Sequence, residues 1–350
     1  MRRPAGLLVL AAALFAAPAG GAQAAPSAAA AQTPTPVPPP APAARISLGV
    51  KDAVAIGTRR VALAGQRWQV TGTVSRFAPG QGLVVAFRRS GRHLATAVAP
   101  LLPGANGTGT FSVPFRLDRP GRVRVTVIHP VTPTLGPLAA EAAVEVVAAS
   151  AGPGSGGLRV RYLQRQLRTL GYAVPRNGRF DDATARAVVA YRKVNGMRRT
   201  RSASHRIFFQ LARGTGAFRP KFPGHGRHAE ADLSKQVLAL INPGGRVYRV
   251  YPISSGKPST PTVLGSFRVI SKDPGYNALG MLHSNYFAGG GYAIHGYHSV
   301  PTYAASHGCI RAPIPDARFL YRWLTYGTRV DVYQRGRRPG SVKPRRRAGP

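Results

Sequence analysis

Apolar side chains change their period twice along this 350-residue chain. Between residues 45 and 148 they alternate with polar ones in short runs at 68–71, 83–87, 111–115 and 123–127. Turn residues separate the runs, at Ala78-Pro79-Gly80-Gln81-Gly82, Ser90-Gly91, Asn106-Gly107 and Arg119-Pro120-Gly121. Successive side chains of a strand point to opposite faces, so this pattern predicts strands buried on one side and packed as a β-sandwich. From 157 to 214 the period is helical. Val160, Leu163, Leu167 and Leu170 share one face and Gly171 ends the run. Ala185, Val188 and Val189 mark a second helix over 182–194, and a third is predicted around 207–211. Alternation then returns over 228–334. Runs at 237–241 and 247–251 flank Asn242-Pro243-Gly244-Gly245, a hairpin by its turn chemistry, and strands follow at 265–270, 292–295 and 329–333, with one helix at 316–324.

The chain therefore reads as multidomain: an N-terminal sandwich whose strand spacing resembles an immunoglobulin-like module without its Cys pair, a small three-helix domain, and a C-terminal mainly β domain. Residues 149–156, rich in Gly, Ser and Ala, read as a linker; 25–44, rich in Ala and Pro, as a spacer; and 335–350 as a basic disordered tail. Residues 1–24 have the form of a signal peptide. Arg2 and Arg3 precede an apolar run over 7–17 that is shorter than the ~20 residues a spanning helix needs, and Ala22-Gln23-Ala24 forms a cleavage site. The expected location is the periplasm, the cell wall or the extracellular space.

Charge adds a partner class. With 49 Lys and Arg against 11 Asp and Glu, the formal net charge is +38, which draws a protein to polyanions. The basic residues are spread through every segment and accompany no zinc-finger, helix-turn-helix or RNP signature, so no specific nucleic acid is expected. Anionic cell-wall polymers fit the charge equally well.

Cysteine usage points to chemistry. An exported protein ordinarily uses Cys in pairs, yet Cys309 is the single cysteine in this sequence, which makes it an incidental buried thiol, an intermolecular link or a reactive thiol. A thiol becomes a strong nucleophile when a neighbouring imidazole takes its proton, and His295 lies fourteen residues upstream (309 − 295), room for a strand, a loop and a return. Gly308 lets the backbone approach closely, so the amides around Cys309 are placed to meet an oxyanion, and Arg311 is spaced for a carboxylate or for packing on the loop.

The stretch Ala293-Ile294-His295-Gly296, followed by Ser306-His307-Gly308-Cys309-Ile310-Arg311, resembles the signature of the YkuD-type L,D-transpeptidases. Asp232-Leu233-Ser234-Lys235-Gln236, Ser255-Gly256-Lys257-Pro258 and Thr260-Pro261-Thr262 match that family in the same order. The helical segment resembles the peptidoglycan-binding domain found beside many wall enzymes, through Leu163-Gln164, Leu170-Gly171-Tyr172 and Asn177-Gly178-Arg179-Phe180. Its second repeat is replaced by 201–206. The family resemblance implies that Cys309 attacks a stem-peptide carbonyl, that His295 is the base, and that His307 orients His295 through its main chain. It further implies that the Gly308 and Cys309 amides bind the oxyanion, and that Arg311, Ser306, Gly296 and Tyr286 shape the substrate site. No cofactor and no metal are implied. The implied partners are peptidoglycan stem peptides, as donor tetrapeptide and acceptor amine, with carbapenem β-lactams as inhibitors.

Three rivals follow from the same residues. An L,D-carboxypeptidase would use water on the same acyl-enzyme. A non-catalytic wall-binding protein would use only the sandwich, the helices and the charge. A zinc hydrolase would draw ligands from His225, His228, His295, His298, His307 and Cys309, but no HExxH pattern or nearby carboxylate accompanies them.

Overall fold

The computed structural model describes residues 44–133 and 135–341. The segment read as a signal peptide, the spacer but for its last residue, and residues 342–350 of the basic tail lie outside the described residues.

Ten strands build the N-terminal part: β1 (Ile46–Lys51), β2 (Val54–Ile56), β3 (Arg59–Leu63), β4 (Arg67–Val74) and β5 (Gly82–Arg89), then β6 (Arg92–Pro100), β7 (Leu102–Pro103), β8 (Gly109–Arg116), β9 (Gly121–His129) and β10 (Leu138–Val147). They form one sheet in the order β1-β4-β8-β7 and a second in the order β2-β3-β10-β9-β5-β6. Trp68, Val70 and Val113 of the first sheet share one core with Val85, Phe87, Val125 and Val144 of the second, which makes the pair a sandwich. Trp68 sits at its centre, edge-on to Phe87 and Phe115.

Three helices follow: α1 (Leu158–Thr169), α2 (Asp182–Val194) and α3 (His205–Ala212). The Asp181 side chain caps α2 by accepting the Thr184 amide at 2.8 Å, which satisfies one of the open donors of the first turn. Val160, Leu163, Leu167, Ala185 and Val188 are buried as their period demands, while Leu170 is half-buried at the end of its helix.

The C-terminal domain has two sheets. β11 (His228–Asp232), β12 (Val237–Asn242) and β13 (Arg246–Pro252) join β14 (Gly265–Arg268) and β19 (Arg329–Tyr333) in the order β13-β12-β11-β19-β14. The second sheet runs β15 (Ser271–Tyr276), β16 (Leu282–Ala288), β17 (Tyr292–Tyr297) and β18 (Ile310–Pro313) in that order. Helix α4 (Ile314–Trp323) and strand β19 (Arg329–Tyr333) close the domain. The helix starts two residues ahead of its sequence expectation because Pro315, in its first turn, has no amide to lose there.

The helical unit is fused to this domain. Val188, Tyr191, Ile207 and Leu211 belong to the same buried cluster as Val237, Ala239, Ile241 and Val250 of β12 and β13. Val61 and Leu63 of the sandwich and Ala149 and Ala151 of the expected linker join that cluster as well. Gly171, which ends α1, accepts the Val250 amide at 2.9 Å, and the Ala173 amide donates to the Val250 carbonyl at 3.2 Å. That covers the open edge of β13, an edge that would otherwise invite pairing with another chain. Residues 335–341 are held in turns: the Arg335 amide donates to Ser234 Oγ at 2.7 Å and the Gly340 amide to the Leu264 carbonyl at 3.1 Å.

Candidate active site

The reactive residues are aligned by strand register. β17 and β18 run parallel, pairing Ile294 with Ile310, His295 with Arg311 and Gly296 with Ala312. Residues directly opposite in a sheet share a face and alternate along each strand. Ile294 and Ile310 are fully buried in the core, so His295 and Arg311 face the other way. Cys309 directly precedes β18, and its thiol lies against the backbone amide of Ala293, two residues before His295 on β17. Tyr286 of β16 pairs with Ala293 and extends the same row by one strand.

Residues 298–309 connect the two parallel strands, and a second loop over 254–262 holds them. The Ala305 and Ser306 amides both donate to the Ser255 carbonyl at 2.9 Å. The Ser306 carbonyl accepts from the Lys257 amide at 3.0 Å and from Thr260 Oγ1 at 2.9 Å. Ser254 Oγ donates to the Tyr303 carbonyl at 2.7 Å, and the Gln236 side chain clasps Ser255 at both its amide and its hydroxyl. Ser254, Ser255, Thr260 and Gln236 are buried, so each of these bonds prevents a desolvation penalty as well as fixing the loop. Gly256 is required here: a Cβ would come within 2.2 Å of the Thr260 carbonyl oxygen.

The immediate surroundings of Cys309 are close and polar. Ser306 Oγ donates to the Cys309 carbonyl at 2.5 Å and accepts the Gly308 amide at 3.2 Å. Gly308 has φ +125°, a backbone that favours glycine, and a Cβ there would lie 2.9 Å from the Tyr292 ring. The half-buried Cys309 Sγ donates to the Gly291 carbonyl at 3.4 Å. Burial pushes the thiol above its ordinary value, against the Ala293 amide and the Arg311 charge, which pull it down.

His295 is buried, and its Nδ1 lies 2.9 Å from the Gly296 carbonyl. A carbonyl only accepts, so Nδ1 carries the hydrogen and Nε2 is left as the basic nitrogen. Burial lowers this histidine to about 4; the Gly296 carbonyl opposes the shift and the Arg311 charge adds to it. Both shifts, a raised thiol and a lowered imidazole, favour the uncharged form of each group. The carbonyl that holds the His295 ring is that of Gly296, while the His307 ring is exposed and makes no hydrogen bond among the described residues.

Other expected residues sit as follows. The Arg311 guanidinium carbon lies 4.2 Å from the centroid of Tyr297, whose ring meets that of His295 edge-on at 5.7 Å. Gly296 packs so tightly that a Cβ would lie 2.5 Å from that of Ala317. Tyr286 donates its hydroxyl to Asp273 at 2.8 Å. His298 packs against Tyr297 with the two rings tilted by 37°. Contrary to the expectation of no nearby carboxylate, His225 reaches Asp331 at 3.0 Å and His228 reaches Glu230 at 3.2 Å. Among the described residues no three of His, Cys, Asp and Glu are grouped to hold a metal. Sequence reasoning missed the role of Tyr297, although its alternation with His295 in β17 signals the shared face, and it missed the Gly291 carbonyl, for which no side-chain signal exists.

The family model for the YkuD L,D-transpeptidase catalytic domain matches residues 226–332, and that for a putative peptidoglycan binding domain matches 156–200. No curated protein matches the chain. Among solved structures, an L,D-transpeptidase from Xylanimonas cellulosilytica is 33% identical over 52% of this chain and 97% of its own, with a TM-score of 0.49. One from Stackebrandtia nassauensis is 20% identical over 55% and 97%, with a TM-score of 0.33. An L,D-transpeptidase solved in complex with imipenem is 16% identical over 80% and 98%, with a TM-score of 0.26.

Proposed function

Because the chain belongs to the L,D-transpeptidase family, we propose that it cross-links peptidoglycan through a thioester formed on Cys309. The observation that supports this most is the parallel pairing of β17 and β18, which brings the thiol that precedes β18 to the Ala293 amide, two residues from an imidazole whose Nε2 is the basic nitrogen.

In this reading the donor stem enters with the carbonyl between its third and fourth residues against Sγ. The neutral thiol attacks as Nε2 of His295 removes its proton, so the sulfur–carbon bond forms without a standing thiolate. The developing oxyanion meets the Cys309 amide, which has no hydrogen-bond partner among the described residues. The Gly308 amide is engaged by Ser306 Oγ and joins only if the loop relaxes. The carbon–nitrogen bond then breaks, the imidazolium returns its proton to the leaving amine, and a D-amino acid departs. A second stem's side-chain amine loses a proton to Nε2, attacks the thioester and releases the thiol. The energy of the cleaved amide is carried by the thioester, so the residues of this site suffice for each step.

The helical domain supports a positioning role. It shares a continuous core with β12 and β13, so a glycan held by it would be presented to the cleft at a constant distance. We assign the chain to the cell wall and its exterior, and carbapenems to Cys309 as acylating inhibitors.

The test is an incubation of the full chain with purified donor tetrapeptide stems, followed by intact-mass measurement and muropeptide analysis. The expected result is a transient adduct on Cys309 and 3–3 cross-linked product, both absent in Cys309→Ala. Adduct without cross-link, with tripeptide as the sole product, would reassign the chain as a carboxypeptidase. Absence of any adduct would leave only the wall-binding reading.

A further inference from the structure

A cavity of about 880 Å³ lies between the helical domain, the end of β11 and the chain after β19, away from the thiol. Its cationic lining is Lys193, Arg199, Lys221, Lys235, Arg335 and Arg337, against a single carboxylate, Asp232. Asp232 is already taken by Lys235 at 3.3 Å. None of the other five cations has a carboxylate within 4.0 Å among the described residues.

These cations are held in place by neutral partners. Lys193, buried, donates Nζ to the Gln236 carbonyl at 3.0 Å and the Ile253 carbonyl at 2.8 Å, and an ammonium has three donors to give. Arg199 donates to the Thr302 carbonyl of the loop that leads to Cys309. Lys221 Nζ stands 4.8 Å from the Tyr333 ring. Like charges gathered in one cavity repel, and the arrangement becomes favourable when a counter-charge enters. Burial, with Arg199 adding to it, already drives Lys193 down to about 7.

We propose that this cavity is a binding site for a multiply charged phosphate ligand. Five unpaired cations in one volume call for several negative charges in a compact form. A phosphate carries up to two charges on one centre, and the planar forks of three arginines pair with its oxygens two at a time. A carboxylate carries one charge on a comparable bulk. The ligand is either a free polyphosphate, with extra charge on its terminal phosphates, or a segment of a phosphodiester polymer, with one charge on each phosphorus; both offer paired non-bridging oxygens to the arginine forks.

The test is calorimetric titration of the full chain at fixed ionic strength with tripolyphosphate, a glycerol-phosphate oligomer and citrate, read independently of catalysis. The wild type binds a phosphate probe at one site and more tightly than citrate. Lys221→Gln/Arg335→Gln/Arg337→Gln, all exposed positions, weakens that binding by about tenfold or more, while Arg59→Gln/Arg60→Gln/Arg92→Gln on the sandwich stays within about twofold. Tighter binding of the oligomer identifies the polymer as the source, and tighter binding of tripolyphosphate the free anion. Equal loss in both triple variants, citrate binding as tightly as phosphate, or no saturable binding would each overturn the proposal.

Discussion

The guanidinium of Arg311 lies over the ring of Tyr297, its central carbon 4.2 Å from the centroid. That stack keeps a cation near His295 and Cys309, with no carboxylate paired to it among the described residues, and its charge lowers both. Removing it relaxes both groups upward. In Arg311→Gln, the acid limb of kcat/KM moves to higher pH and the midpoint of thiol alkylation also rises. Arg311→Lys retains the charge and keeps both midpoints near wild type, while losing the planar stack and therefore substrate affinity. A pH–rate profile of the three proteins checks this; unmoved limbs in Arg311→Gln would refute the electrostatic role.

An uncharged thiol and imidazole have their own signature. Iodoacetamide reacts with thiolate, so labelling of Cys309 should rise with pH through one midpoint above 9.0. A thiolate–imidazolium pair would instead give a labelling plateau across neutral pH. With one cysteine in the sequence, intact mass reads a single adduct without digestion.

Gly256 supports the nucleophile loop from a distance. In Gly256→Ala the new methyl meets the Thr260 oxygen and the Thr262 amide, both backbone atoms that cannot rotate away. The loop must shift, at a cost of about 1–3 kcal/mol, and the Ser255–Ser306 contacts shift with it. The expected outcome is a lowered kcat of at least tenfold with retained far-UV circular dichroism.

A second polar cluster ties the first and last strands of the C-terminal domain. Glu230 is fully buried and accepts from the Lys221 and Phe222 amides, the Tyr333 hydroxyl and His228. Burial raises Glu230 but these donors outweigh it and leave it lowered; burial lowers His228, but Glu230 and the Gly226 carbonyl outweigh that and leave it raised. The Glu230 contribution is present above 4.5 and is lost as pH falls through its folded value. The His228 contribution is present below 6.5 and is lost as pH rises through its folded value. The joint contribution of this pair should therefore be greatest between these limits, and Glu230→Gln should cost about 3–5 kcal/mol by leaving a buried imidazolium without its partner. Melting curves from pH 3 to pH 9 test both statements.

Lys193 gives the opposite slope. Its folded value of about 7 lies below the ordinary 10.5, so between those values the unfolded chain binds more protons and stability rises with pH. Lys193→Met should flatten that rise. Denaturant midpoints at pH 7 and pH 10 for both proteins decide it.

Much of this organisation was legible in the residues. The period-2 runs found the middle strands of the sandwich, the period-3.6 runs found α1 and α2 to within a residue, and the Ser-His-Gly-Cys-Ile-Arg stretch marked the reactive loop. Strand β10 was not legible, because its Ala-Glu-Ala composition carries little apolar contrast and its pairing partners supply the burial. Strands β15 and β16 escaped as well. Their register shifts break the alternation that reveals a strand, and the polar Lys272, Ser284 and Asn285 are satisfied across the sheet and by α4.

Local pattern sufficed for most of the strands and helices and for the candidate thiol, because period and nearest neighbours are properties of adjacent residues. It was silent on the fusion of the helical unit with β12 and β13, on the cationic cavity between them, and on the identity of the carbonyl that sets the His295 tautomer. Those depend on which surfaces meet. Burial then decides protonation: the same imidazole and thiol, exposed to water, would keep their ordinary affinities for protons, and only their packing at β17 and β18 favours the uncharged form of each.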